Sequence, residues 1–292
     1  MKVLIISQNS QLYSTSRLLQ EARSLNIPAS HQNIYESGHW EEAQKCPASV
    51  VFNRYSGTLY DDFDLQLAKN WSDLGTMVLN PVEDCRSFRD KLSAHILLSS
   101  LGVSTPQTKA FRGPISSGRI EQLEFRDASD VVKDEYLIKP TRGNKGHGIS
   151  LCRGIDSLMS QLEAYYYLKD QKFIIQPRLK IKREFRLFFI GDHIYGAFEK
   201  NPKDKYDFRL NADRSDCYKI EPKNLTDELI SFYNSIRRNT DLFYGGIDIA
   251  ETDNGLYLLE VNPTPGFETL ESICDLNVAK EILCQVQSAL IN

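Results

Sequence analysis

The chain has 292 residues, 41% of them hydrophobic and 25% charged, enough for one large or two modest domains around a buried core. A net charge of -4 exerts no general pull on nucleic acid or an anionic membrane, so any basic site must be local. No stretch reaches the roughly 18 apolar residues of a spanning helix, and Val3 to Ile6 is too short for a signal-peptide core; a cytoplasmic protein without membrane or direct nucleic-acid partners is expected.

Lys2 to Ile6 reads as a buried strand, followed by a helix from about Ser14 to Leu25 with Leu18, Leu19, Ala22 and Leu25 on one face. Ser49 to Asn53 is a second apolar strand, Asp64 to Leu74 a helix, and Met77 to Pro81 a third strand stopped by its proline. This alternation implies a small parallel sheet covered by helices, an α/β N-terminal domain over residues 1–86. No GxGxxG follows the first strand, so a dinucleotide site there is unsupported.

Ser87 to Leu101 reads as one helix with Gly102 as its stop. The strand Glu135 to Pro140 runs into the loop Thr141 to Gly148, and a helix at Ser157 to Lys169 and a strand at Phe173 to Pro177 follow. Strands at Glu184 to Ile190, His193 to Glu199, Phe243 to Ala250 and Leu256 to Val261 then alternate with helices at Thr226 to Thr240 and Asn277 to Leu290. The six cysteines show no CxxC spacing and the five histidines are dispersed, which points to reduced thiols and away from disulfides or zinc.

Residues 243–262 read FYGGIDIAETDNGLYLLEVN, two alternating apolar runs around Asp253-Asn254-Gly255, a strong hairpin signal. A three-residue turn centred on Asn254 sets Thr252 opposite Leu256, Ala250 opposite Leu258 and Asp248 opposite Glu260. Asn262, two residues beyond Glu260, falls on the same face. Two carboxylates and an amide oxygen form a partial Mg²⁺ site, unless they are merely the polar face of a hairpin. Pro263 and Pro265 favour the metal, because they end the ladder at these residues and place them at a strand end.

Lys139 and the loop TRGNKGHG supply positive charge, with Lys145, and three glycines, Gly143, Gly146 and Gly148, that let backbone N–H groups approach a phosphate. A Walker A loop is absent, and Phe88-Arg89-Asp90 with Lys91 is too faint an echo of a protein kinase without its other motifs. Lys180, Lys182, Arg183, Arg186, Lys200, Lys203, Lys205 and Arg209 concentrate basic charge in one region, either a solvated face or a cleft for an acidic substrate, with Arg54 a helper from the N-terminal side.

Taken in order, the Asp90-Lys91 pair, the strand lysine with its glycine-rich loop, DFRLN, GGIDI and EVNPTPG closely resemble the ATP-grasp ligases. Within them the chain is similar to the RimK type, the α-L-glutamate ligases that modify ribosomal protein S6. The resemblance covers nearly the full length and implies an α+β ATP-grasp fold over residues 87–292. A central lobe to about residue 176 and a C-terminal lobe from 180 would clasp ATP.

Carried over residue by residue, it implies that Lys91 and Lys139 hold ATP phosphates beneath Gly143, Lys145, Gly146, His147 and Gly148. Gln176, Pro177, Arg178 and Leu179 would form the adenine hinge, and Glu184 would meet the ribose. Arg186 and Arg209 become catalytic candidates beside Leu210 and Asn211, and Asp248, Glu260 and Asn262 the ligands of Mg²⁺, with Mn²⁺ as the alternative ion. Pro177 departs from the family hinge, where Glu usually follows Gln, and its missing N–H leaves adenine to carbonyls and to the N–H of Arg178 or Leu179.

The implied reaction makes an amide through an acyl phosphate. Its partners would be ATP, an amino acid with glutamate favoured, and a carboxylate-bearing acceptor such as a protein or peptide C-terminus; homo-oligomerisation is left open. A ligase of this fold with another amino acid or acceptor and a non-catalytic nucleotide-binding regulator are the alternative readings.

Overall fold

The computed structural model describes residues 1–36, 46–56, 61–112, 125–126, 128–143, 146–166, 172–202 and 215–291. Its first layer is a parallel sheet of β1 (Val3–Ile6), β2 (Ala29–Gln32), β3 (Val50–Asn53) and β4 (Met77–Leu79) in the order β2-β1-β3-β4. β1 and β3 are buried along their whole length, as uninterrupted apolar strands must be when both faces of a sheet are covered. Helices α1 (Tyr13–Ser24) and α2 (Phe63–Asp73) supply cover. β2 (Ala-Ser-His-Gln) escaped sequence reading because an edge strand needs no apolar run.

The expected helix from Ser87 to Leu101 is two helices, α3 (Val82–Arg89) and α4 (Lys91–Ser100). Asp90 leaves helical geometry, at φ -103° and ψ 118°, and its carboxylate accepts hydrogen bonds from the backbone N–H groups of Leu92 and Ser93. The side chain thus caps a new helix where the apolar period continues unbroken.

A second, antiparallel sheet contains β5 (Lys109–Arg112), β6 (Val131–Pro140), β7 (Ser150–Arg153) and β8 (Lys172–Leu179) in the order β5-β8-β6-β7. Helix α5 (Ile155–Tyr166) packs Leu158 and Leu162 against Ile138, Cys152 and Ile175 on it.

The third sheet runs β11-β10-β9-β12-β13, antiparallel throughout, from β9 (Arg183–Ile190), β10 (His193–Pro202), β11 (Ser215–Ile220), β12 (Tyr244–Thr252) and β13 (Gly255–Asn262). Helices α6 (Asp227–Asn239), α7 (Glu268–Cys274) and α8 (Val278–Ala289) complete the chain. Odd-numbered residues of β9 and β12, including Leu187, Phe189, Ile247 and Ile249, pack against Leu229, Phe232 and Ile236 of α6. On the opposite face Phe188, Ile190 and Phe198 join Phe267, Leu270 and Ile282 in one core with Val3, Ile5 and Phe52 of the first sheet. The first and third sheets are therefore held by shared apolar burial, the strongest general attraction available.

The acidic hairpin departs from its expected register and then recovers it. Its turn has two residues, so Thr252 faces Gly255 and Ala250 faces Tyr257, one position off the expectation. A bulge at Leu259 inserts an extra residue, and Asp248 again faces Glu260.

All six cysteines are free thiols, and burial pushes Cys85 up to about 12. Among the described residues no helix is long and apolar enough to cross a membrane.

Candidate active site

Side chains alternate along a strand, so one face of the third sheet can carry core at one end and chemistry at the other. The even residues of β9 do this: Phe188 and Ile190 enter the core, while Glu184 and Arg186 face a cavity of about 1440 Å³. Across the sheet Phe198, Arg186, Asp248 and Glu260 form one row. The row to one side pairs Lys200 with Glu184, and the row to the other sets Gly246 between Phe188 and Asn262. Asp248, Glu260 and Asn262 thus share the cavity face. The bulge keeps them together.

Asp248 lies between two cations: Arg186 Nη1 is 2.5 Å from its Oδ2 and Lys200 Nζ 3.0 Å from its Oδ1. Burial raises the carboxyl's affinity for a proton, but Arg186 and Lys200 outweigh it and hold Asp248 below the usual carboxylate range. Lys200, 6% exposed, also pairs with Glu184. Burial alone would lower the Lys200 pKa; Asp248 and Glu184 raise it instead. Gly246 makes room for this arrangement, since a Cβ there would stand 2.5 Å from the Arg186 guanidinium carbon. Glu260 has no ion-pair partner within 4 Å among the described residues, and the Asn262 amide oxygen accepts the Thr264 N–H at 2.9 Å.

Facing this sheet are the second sheet and α4. The Asp90 cap places Lys91 at the first position of α4, where its backbone N–H donates to Thr141 and its ammonium donates to the Gly143 carbonyl at 3.0 Å. Lys139, on β6, has no ion pair among the described residues. Burial and the nearby Lys91 charge push its pKa down to about 8, with Glu260 and Glu184 pulling the other way. The loop after β6 folds over Pro140, whose ring lies 3.1 Å from where a Cβ of Gly148 would stand, at φ +75°. Gly143, Gly146 and His147 line the cavity, and Lys145 lies outside the described residues.

The expected hinge Gln176 to Leu179 is the end of β8, and all four residues line the cavity. Gln176 donates to Thr108 Oγ1 at 2.8 Å, and Arg178 pairs with Glu135 at 2.5 Å. His95 and Thr105, neither anticipated, bond to each other at 3.2 Å along the same wall. Arg209, Leu210 and Asn211 lie outside the described residues.

The basic run separates by strand alternation. Lys180, Lys182 and Arg183 are exposed, the last two paired with Asp253 and Glu251, whereas Arg186 and Lys200 enter the site. Lys203 and Lys205 lie outside the described residues. Sequence reading passed over Asn80, a buried amide directly before Pro81. Its oxygen accepts from the Phe243 and Tyr244 N–H groups, and its nitrogen donates to the Tyr244 and Pro263 carbonyls. One side chain from the first layer thereby holds both ends of the acidic hairpin. A buried amide must satisfy its polar atoms, which was the signal available.

Residues 88–286 match the RimK-like ATP-grasp domain family. A probable alpha-L-glutamate ligase of Xanthomonas campestris pv. campestris (strain B100) is 26% identical over 306 residues, covering 99% of this chain and 100% of its own. Among solved structures, the RimK domain protein ATP-grasp from Sphaerobacter thermophilus superposes with a TM-score of 0.73 at 15% identity, over 97% of this chain and 98% of that one. ATP-grasp ligase PsnB, complexed with a phosphomimetic variant of its minimal precursor, Mg and ADP, gives 0.70 at 16% identity, over 98% and 97% of the two chains. The chain belongs to the RimK-like ATP-grasp family and is an ADP-forming carboxylate–amine ligase of that fold.

Proposed function

We propose that this ligase activates a carboxylate as an acyl phosphate and joins it to an amine, with glutamate as the added amino acid and a protein, peptide or small molecule as acceptor. The observation that carries the reading is the facing of two charge patterns across one cavity. Lys91 and Lys139 have no carboxylate partner among the described residues, and opposite them stand the carboxylates of Asp248 and Glu260. Nucleotide phosphates answer the lysines. A hard divalent cation answers the carboxylates.

Asp248, Glu260 and Asn262 fit such an ion in chemistry, all being oxygen donors, and they would hold Mg²⁺ or Mn²⁺. Bound there, the ion supplies neutralisation of phosphate charge. Asp248 must exchange at least one of its two cationic partners to take part. Arg186, released or shared, then presents N–H donors to developing negative charge, the role also assigned to Arg209. Gln176 to Leu179 would read the adenine edge and Glu184 the ribose; the 143–148 loop would cover the phosphates. We place the domain boundary near residue 86 and the protein in the cytoplasm, a reducing compartment suited to its free thiols.

The test is incubation with ATP, Mg²⁺, a panel of amino acids and carboxylate acceptors, following ADP release and product mass. Glutamate addition supports the reading. Product formation only with another amino acid replaces glutamate and keeps the chemistry, and nucleotide binding without ADP release defeats the ligation proposal.

A further inference from the structure

The cavity extends beyond the lysines to a wall formed by the segment after β3 and the start of α1, where Arg54 stands beside Ser14 and Ser56. Its guanidinium carbon is 5.8 Å from the ring centroids of both Tyr244 and Phe267. Nη1 donates to Tyr244 Oη at 3.3 Å and Nη2 to the Pro265 carbonyl at 2.7 Å, while Nε, screened from solvent, has no acceptor. Every named acceptor is neutral. Among the described residues no carboxylate lies within 4 Å of this arginine.

That sets Arg54 apart from the other arginines lining the cavity. Arg17 pairs with Glu271 at 2.9 Å, Arg178 with Glu135 at 2.5 Å and Arg186 with Asp248 at 2.5 Å. Arg54 is part-buried, and a guanidinium held against aromatic rings without an anion is a place where an incoming negative group gains a charge-assisted contact. Aromatic faces stabilise the cation but leave its net charge unneutralised. The planar fork suits a carboxylate, which it can bind through two parallel N–H donors. The segment that bears Asn262 also presents the Pro265 carbonyl to Arg54, so the subsite adjoins the reacting end and is distinct from it.

We propose that Arg54 anchors a substrate carboxylate, one that is held and not phosphorylated. On the glutamate reading, which this assignment deepens, the anchored group is either the α- or the γ-carboxylate of the amino acid. Fixing it in the fork would orient the amino group of that substrate toward the activated carboxylate of the acceptor. Arg54 is then a specificity-determining residue contributed by the first layer, and the cavity's remote wall has a function.

Calorimetry with L-glutamate, L-isoglutamine and L-glutamine, in Mg²⁺ and a non-hydrolysable ATP analogue, tests this on the full chain. The unaltered protein should bind glutamate at least about 10-fold more tightly than one of the amides, and the weaker amide identifies the anchored carboxylate. Arg54→Ala should weaken glutamate binding by about 30-fold or more and lose the acid–amide discrimination. Arg54→Lys, which keeps the charge, should fall between, and nucleotide affinity should stay within about twofold in both variants.

Equal binding of glutamate and both amides by the unaltered chain overturns the assignment. So does discrimination that survives in Arg54→Ala, or an equal loss of nucleotide affinity, which would mark a structural role. The two readings fail separately. Acid–amide discrimination by Arg54 without ADP formation from glutamate removes the ligation reading alone, and glutamate ligation at unchanged KM in Arg54→Ala removes this assignment alone.

Discussion

Two pairs of cations line the same cavity and are treated in opposite ways. Arg186 and Lys200 are closed, each in contact with a carboxylate of Asp248 or Glu184. Among the described residues Lys91 and Lys139 are open, the ammonium of one bonded only to a carbonyl and the other depressed in pKa by burial beside its neighbour. Cations kept near one another without anions cost stability and persist where an outside anion completes them. Cations closed on an acidic residue hold its oxygen donors in place. On the proposed reading, one end of the site would take phosphate and the other a metal.

The largest effect tests the acidic end. Glu260→Ala should lower turnover by about 1,000-fold or more, with circular dichroism and thermal midpoint close to the unaltered protein, since Glu260 makes no ion pair in the described structure. Near-normal turnover would remove the metal assignment. Lys139→Ala tests the open end, where loss of one charge-assisted contact of about 1.5–3 kcal/mol should weaken ATP binding by roughly 10- to 100-fold. An unchanged ATP Kd would show that Lys139 does not reach the phosphates.

Gly246→Ala tests the closed pair with a smaller change. The added methyl carbon would collide with the Arg186 guanidinium, displace it from Asp248, and lower kcat by about 10-fold with little change in ATP affinity. Equal kcat would mean that the arginine's position is not critical. The smallest effect is a pH dependence. With its pKa near 8 in the nucleotide-free protein, Lys139 is charged below that pH and neutral above it. Phosphate favours the charged form, so ATP binding should take up a proton near pH 8 and weaken a fewfold as pH rises through it. Calorimetry in buffers of different ionisation heat reads the proton directly, and uptake absent at pH 8 counts against the assignment.

The contrast between open and closed cations was only partly legible in the sequence. Arg183 and Arg186 stand an odd number of residues apart on one strand, so alternation puts them on opposite faces and moves one from solvent to the cavity. Lys200 could not be told from Lys180 or Lys182, because its burial depends on Asp248, 48 residues away. The hairpin made Asp248 and Glu260 neighbours by an expected register that was one residue off at the turn. The bulge at Leu259, which no turn rule anticipates, restored it. Asp90 ended one helix and began another while the apolar pattern ran on, so the break needed the cap geometry to be seen.

Local regularities determined much of this protein from the sequence by itself: apolar runs made the parallel strands, Asp253-Asn254 and its flanks made the hairpin, and Pro263 and Pro265 ended it. The order of those motifs along the chain was enough to place the family. Tertiary structure alone decided which charges are satisfied. Arg54 and Pro265 are 211 residues apart, and Asn80 and Pro263 are 183 apart. Charge pairing and desolvation act through space, at distances that sequence neighbours do not report, and they decide where the cavity has a cation left for a ligand.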